Sequence, residues 1–163
     1  MFQPPFAAMG RVMSRDTIAM AADHAGYPLK ESLKADLVAR GLDVLDLGTH
    51  SVDSVDYPDF AAKLATALKD GKAKRGVLIC GTGIGISIAA NRYAHVRAAL
   101  CAEPVAARLA RQHNDANVLV LGARLIGSEV ARDCLSVFLS TDFEGGRHSA
   151  RVGKLGATPV TSH

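Results

Sequence analysis

The chain has 163 residues, 48% hydrophobic and 21% charged, and a formal charge of +3 from 19 basic and 16 acidic side chains. That is the length of one ordinary domain. No apolar run reaches the roughly 18 residues of a membrane-spanning helix, and the charges are scattered, not gathered into a basic block. With no Trp and few aromatics there is also no stacking platform for bases, so membrane and nucleic-acid partners are not expected.

Three cysteines, Cys80, Cys101 and Cys134, form no C-x-x-C pair, which speaks against a disulfide framework and a thiolate zinc site and for a reducing, cytoplasmic compartment. Residues 1–15, MFQPPFAAMGRVMSR, lack the basic start, apolar core and cleavage site of a secretory signal. They are expected to be a disordered arm before a single domain over residues 16–155, with a tail over 156–163.

From Thr17 onward, apolar runs alternate with amphipathic stretches, the pattern of an α/β protein with helices covering a parallel sheet. A strand is expected at Thr17–Ala22, then the loop Asp23-His24-Ala25-Gly26 and a helix from Pro28 to Arg40, stopped by Gly41. Val44–Leu47 reads as a second strand, followed by a polar loop from Gly48 to Tyr57 and a helix from Pro58 to Lys69. The third strand, Val77–Cys80, runs directly into Gly81-Thr82-Gly83-Ile84-Gly85, and Ile86–Asn91 reads as a helix. Val96–Cys101, a helix over Pro104–Gln112, Val118–Leu121 and a helix over Ser128–Leu139 complete five strands. Asp142–His163, with two adjacent glycines and several basic residues, reads as an arm and not as another sheet unit.

Ligands of open parallel sheets sit beyond the carboxyl ends of the strands. The loops that belong there carry Asp23-His24, Cys80 to Gly85, Glu103 and Gly122-Ala123-Arg124. In CGTGIGIS the glycines let backbone N–H groups converge on an anion. No Gly-Lys-Ser/Thr follows, and Ile86 stands where a dinucleotide fingerprint needs Gly, so nucleotide binding is disfavoured. A tight connection without a ligand explains the loop about as well.

Cys80 stands where a helix N-terminus favours a thiolate, whereas Cys101 and Cys134 read as packed core thiols. His113 and Asn114, in RQHND, fall near the C-terminus of a helix, where a proton on imidazole is favoured. A surface histidine is the plainer account of His113 alone, and turn chemistry that of Asp23-His24. In RHSAR, Arg147 and Arg151 are four apart, so on a helix both forks share one face and can clamp a phosphate; a solvated basic tail is the alternative.

Taken together, DHAG, DYP, CGTGIGISIAAN, RQHND, LGAR and EGGRHSAR resemble the type B ribose-5-phosphate and galactose-6-phosphate isomerase family in order and spacing, from about Thr17 to Lys154. The resemblance implies a Rossmann-like three-layer α/β/α sandwich with a five-stranded parallel sheet. It also implies a homodimer or dimer of dimers whose sites are shared between subunits. It makes Cys80 the proton-transfer base, as in the cysteine type of the family, and His113 the acid/base that opens the sugar ring. Asp23 and His24 match substrate-binding positions. Gly81, Thr82, Gly83, Ile84 and Gly85 match the loop that holds the enediolate, with Thr82 supporting its oxygens, and Asn114, Arg124, Arg147 and Arg151 match the remaining substrate and phosphate contacts. Ile86-Ser87 stands where relatives without the cysteine carry a glutamate base.

The expected activity is interconversion of ribose 5-phosphate and ribulose 5-phosphate, with galactose, allose or tetrose phosphates as alternative substrates. The reaction needs a base, an oxyanion stabiliser and an acid but no redox cofactor. No cofactor is expected, and no metal, because no cluster has zinc-like spacing. Two rival classes are a non-catalytic phosphate-sensing module and a cysteine hydrolase built on Cys80, His113 and Asn114.

Overall fold

A computed structural model describes residues 16–157. Its elements follow the order β1 (Thr17–Ala22), α1 (Tyr27–Ala39), β2 (Asp43–Asp46), α2 (Tyr57–Lys69), β3 (Arg75–Cys80), α3 (Ile84–Ala90), β4 (Ala98–Leu100), α4 (Pro104–Asn114), β5 (Val118–Gly122), α5 (Ser128–Ser140) and α6 (Arg147–Leu155). The strands form one parallel sheet in the order β2-β1-β3-β5-β4.

The three central strands read as unbroken apolar runs because helices cover both of their faces. Ile18, Met20, Val77, Ile79, Leu119 and Leu121 point to the layer holding Leu33 and Leu37 of α1, Ala107 of α4 and Leu135 and Phe138 of α5. The alternate residues Ala19, Ala21, Leu78, Cys80 and Val120 meet Phe60 and Leu64 of α2 and Ile86 of α3. This is the expected α/β/α sandwich. The edge strands are short and less buried, and β2 carries a carboxylate at each end.

Proline occupies the first turn of α1, α2 and α4, where its missing N–H goes unmissed. Glu103, one of the carboxyl-end candidates, is committed to capping α4, accepting from Val105 N–H at 2.8 Å and Ala106 N–H at 2.6 Å.

One feature departs from the sequence reading. The segment from Asp142 is not simply an arm, because α6 forms within it and lies against α4: Glu144 N–H donates to the Gln112 carbonyl at 3.1 Å. Gly145 and Gly146, at φ +66° and +56°, make the reversal that brings α6 back, a conformation that penalises residues with a Cβ. Lys30, to which the sequence reading assigned no role, is fully buried on α1. Its ammonium donates to both Asp46 carboxylate oxygens, at 2.7 and 2.8 Å, and to Glu31, while Lys34 reaches Asp46 at 2.8 Å. Burial alone would raise the Asp46 pKa, but the bonds from Lys30 and Lys34 outweigh it and hold the carboxyl at about 2. The arm expected at residues 1–15 and most of the tail at 156–163 lie outside the described residues.

Candidate active site

The chain passes from β1 to β2 on one side and then crosses to β3 on the other, so the carboxyl ends of β1 and β3 flank a switch in strand order. Backbone hydrogen bonds stitch the loops there into one surface. Asp23 N–H donates to the Ile79 carbonyl at 3.2 Å, Ala22 and Thr49 join Gly48 to β1, Ala123 N–H donates to the Cys80 carbonyl at 2.9 Å, and Arg124 N–H to the Gly81 carbonyl at 2.8 Å. Asp46 takes part as well, accepting from Gly48 N–H at 3.0 Å, so the buried ion cluster braces this edge.

Cys80, 4% exposed, closes β3 opposite Gly122. Its sulfur accepts the Gly83 N–H at 3.2 Å, which fixes the side chain under the glycine loop and offers a donor to a thiolate. Gly83 stands at φ +77°, and a Cβ there would lie 3.1 Å from the Leu121 carbonyl carbon and collide with the Leu100 side chain, so only glycine fits. Thr82 accepts the Ile84 N–H at 3.2 Å on an exposed hydroxyl, whose own hydrogen is left to turn toward a ligand.

Around this loop stand three further candidates. Asp23 is buried and accepts the Gly26 N–H at 3.0 Å, closing the DHAG turn. His24 accepts the Val55 N–H at 3.1 Å through Nδ1, which places the hydrogen of the neutral ring on Nε2. Arg124 lays its guanidinium beside Gly81, where a Cβ would stand 3.3 Å from it. The motif reading assigned no role to Tyr57, yet its ring covers Gly85, 2.6 Å from where a Cβ would be. The Tyr57-Pro58 start of α2 announces a helix; no local signal announces this contact.

The other two cysteines differ in kind. Burial pushes the Cys101 thiol up to about 12 and the Cys134 thiol to about 11, so both are protonated, inert packing groups near neutral pH.

His113, Asn114, Arg147 and Arg151 are not brought to Cys80. α4 runs back against the strands and ends at Asn114, and nearby Asn117 accepts the Gly76 N–H at 2.9 Å at the start of β3. The four steps of β3 from Gly76 to Cys80, about 13 Å at ~3.3 Å per residue, therefore lie between the two groups. At that amino edge the His113 and His148 rings stack 4.5 Å apart and 16° from parallel. His148 is buried, and its pKa is lowered by desolvation and by the charges of His113 and Arg147. His113, Asn114, His148 and Arg151 line a recess of about 300 Å³, while Arg147 is exposed at the start of α6. His148 and Glu144, which lies 3.8 Å from it, were not among the sequence candidates, although their four-residue spacing is visible in EGGRH.

Residues 18–155 match the Ribose/Galactose Isomerase family. The chain belongs to that family. It is 50% identical to ribose-5-phosphate isomerase B of Escherichia coli over 135 residues, 83% of this chain and 91% of that protein. The crystal structure of a ribose 5-phosphate isomerase B from Thermotoga maritima superposes with a TM-score of 0.86 at 52% identity, over 88% of this chain and 99% of that one. The ribose-5-phosphate isomerase B of Mycoplasma genitalium, solved with bound ribulose 5-phosphate, gives 0.83 at 40% identity, over 86% and 94%. Ribose/galactose isomerases thus share with this chain the five-stranded sheet and its six helices. No helix among the described residues is long and apolar enough to cross a membrane.

Proposed function

We propose that the protein interconverts ribose 5-phosphate and ribulose 5-phosphate through an enediolate, without a cofactor. The observation that carries this reading is the Cys80 sulfur, set at the sheet's switch point under a glycine loop whose Gly83 N–H points at it. The identity to the E. coli and Thermotoga proteins supports the choice of substrate.

In the proposed mechanism His113 gives and takes the protons that open the furanose. Cys80, as thiolate, removes the C2 proton of the open aldose and returns it to C1. The negative charge that develops on the two oxygens meets loop N–H groups and the Thr82 hydroxyl, with Asp23, His24 and Arg124 holding the sugar. Arg147, Arg151 and Asn114 hold the phosphate end, and that remote binding energy orients C1 and C2 against the sulfur.

Because His113 lies at the opposite edge of its own sheet, the acid must come from a second copy. Ile84 and Ile88 on α3 are exposed, as is Leu100 on β4, whose side chain lies against Gly83, and they offer an apolar surface at the glycine loop suited to that copy. A homodimer, or a dimer of dimers, is thus part of the proposal. So is a cytoplasmic location, to which the three free thiols are suited.

The test is turnover of ribose 5-phosphate by purified protein with a chelator present, beside allose, galactose and tetrose phosphates. Fast conversion of ribose 5-phosphate is expected. Conversion of another sugar phosphate alone would keep the mechanism and change the substrate. Conversion of none would return the chain to a binding module.

A further inference from the structure

At the amino edge of the sheet, two imidazoles and a carboxylate converge from three different segments. His113 comes from the last turn of α4, Glu144 from the loop after α5 and His148 from the first turn of α6. One ligand-type atom from each lies within 4.8 Å of the others. The backbone is built to hold them there. Glu144 N–H is bonded to Gln112, the residue before His113, and His148 N–H donates to the Gly145 carbonyl at 3.1 Å across the two-glycine reversal. His148 Nε2 and Glu144 Oε2 stand 3.8 Å apart, beyond a hydrogen bond, so neither lone pair is consumed by the other.

We propose that His113, Glu144 and His148 form a binding site for a divalent transition-metal cation of the zinc class, and that occupancy of this site switches the enzyme off. The inhibitory half rests on the proposed role of His113, because a metal on its imidazole removes the lone pair needed for ring opening. The donor set, two nitrogens and one carboxylate oxygen, suits zinc, cobalt and nickel and is wrong for magnesium or calcium. Ligands on a tetrahedral ion with bonds of roughly 2.0–2.2 Å stand ~3.5 Å apart, so closure needs about 1 Å of side-chain movement and a tilt of the stacked rings toward each other. The Glu144 side chain is half exposed and His113 partly exposed, which leaves that movement open. Arg147 and Arg151, one turn apart on α6, weaken a dication's binding, which places affinity on the order of 1 µM and not in the range of structural zinc.

Cobalt(II) titration of the chelator-stripped protein reads the site without any activity assay. Visible d–d bands are expected in the wild type and in Cys80→Ser, with no sulfur-to-cobalt charge-transfer band, and at least a tenfold weaker cobalt affinity in Glu144→Gln. In the isomerase assay, about 10 µM free Zn²⁺ should lower turnover roughly tenfold, with recovery on adding chelator. Glu144→Gln should keep its basal rate and need at least tenfold more zinc. Absence of cobalt bands, their loss in Cys80→Ser, or zinc inhibition unchanged in Glu144→Gln would overturn the proposal. A protein without isomerase activity that still binds cobalt through these residues would leave the site standing and remove its inhibitory role.

Discussion

The two edges of the sheet are made differently. At the carboxyl edge Cys80, Asp23 and the glycine loop are buried or backbone-bound, and four loops are joined by main-chain hydrogen bonds. At the amino edge His113, Asn114, Arg147 and Arg151 are side chains carried by the helices α4 and α6 and are at least partly exposed. A proton-transfer base and an oxyanion hole must be held within a fraction of an ångström, which packed backbone achieves. Groups that open a ring and grip a phosphate tolerate, and use, more freedom. In the proposed mechanism neither edge is a complete site in one subunit.

The largest effect should come from separating the edges genetically. Cys80→Ala and His113→Ala should each lose ~100- to 10,000-fold in turnover. Co-refolded in equal amounts, the two should recover roughly a quarter of wild-type activity, because half of the dimers are mixed and each mixed dimer keeps one intact site. A mixture as dead as its parts would show that both groups act from one chain.

Next is the brace of the carboxyl edge. Asp46→Asn leaves the buried Lys30 ammonium with Glu31 as its one remaining carboxylate and should destabilise the fold by about 3 kcal/mol in urea unfolding, with turnover falling as the edge loosens. The same cluster sets a pH dependence. With the Asp46 carboxyl displaced from an ordinary 3.8 to about 2, ionisation contributes about 2 kcal/mol. That stability is fully present above pH ~4 and is lost as pH falls through about 2. Unfolding curves from pH 6 to pH 2 should show this slope in the wild type and lack it in Asp46→Asn.

Gly83→Ala should be milder in stability, about 1–3 kcal/mol for a Cβ at positive φ against Leu100 and Leu121. It should still cut turnover, because the N–H on Cys80 moves; unchanged kcat would remove that N–H from the mechanism. The smallest effect is expected at the freer edge. Arg147→Ala should lower kcat by about tenfold as well as raise KM, and a rise in KM alone would restrict it to uniform binding.

The alternation of apolar runs and amphipathic helices located all five strands, because burial on two faces leaves its mark in every residue of a strand. Boundaries moved by one or two residues, at both ends in β4, an edge strand covered on fewer sides. Gly83 and Cys80 were legible for a related reason: a positive φ and a thiol at a strand end are local facts. Lys30 was not, since a lysine on a helix reads as solvated until its partner on β2 is placed beside it. Tyr57 over Gly85 and His148 on His113 escaped in the same way, being contacts between segments far apart in the chain.

The sequence by itself therefore determined the α/β class and the family and nominated the residues proposed to carry chemistry, because each is written in local pattern or in motif spacing. Only the tertiary structure decided which of those residues meet. A helix that follows a parallel strand must run back to the start of the next, and this carries His113 to the far end of the sheet from Cys80, in a way no motif spacing records.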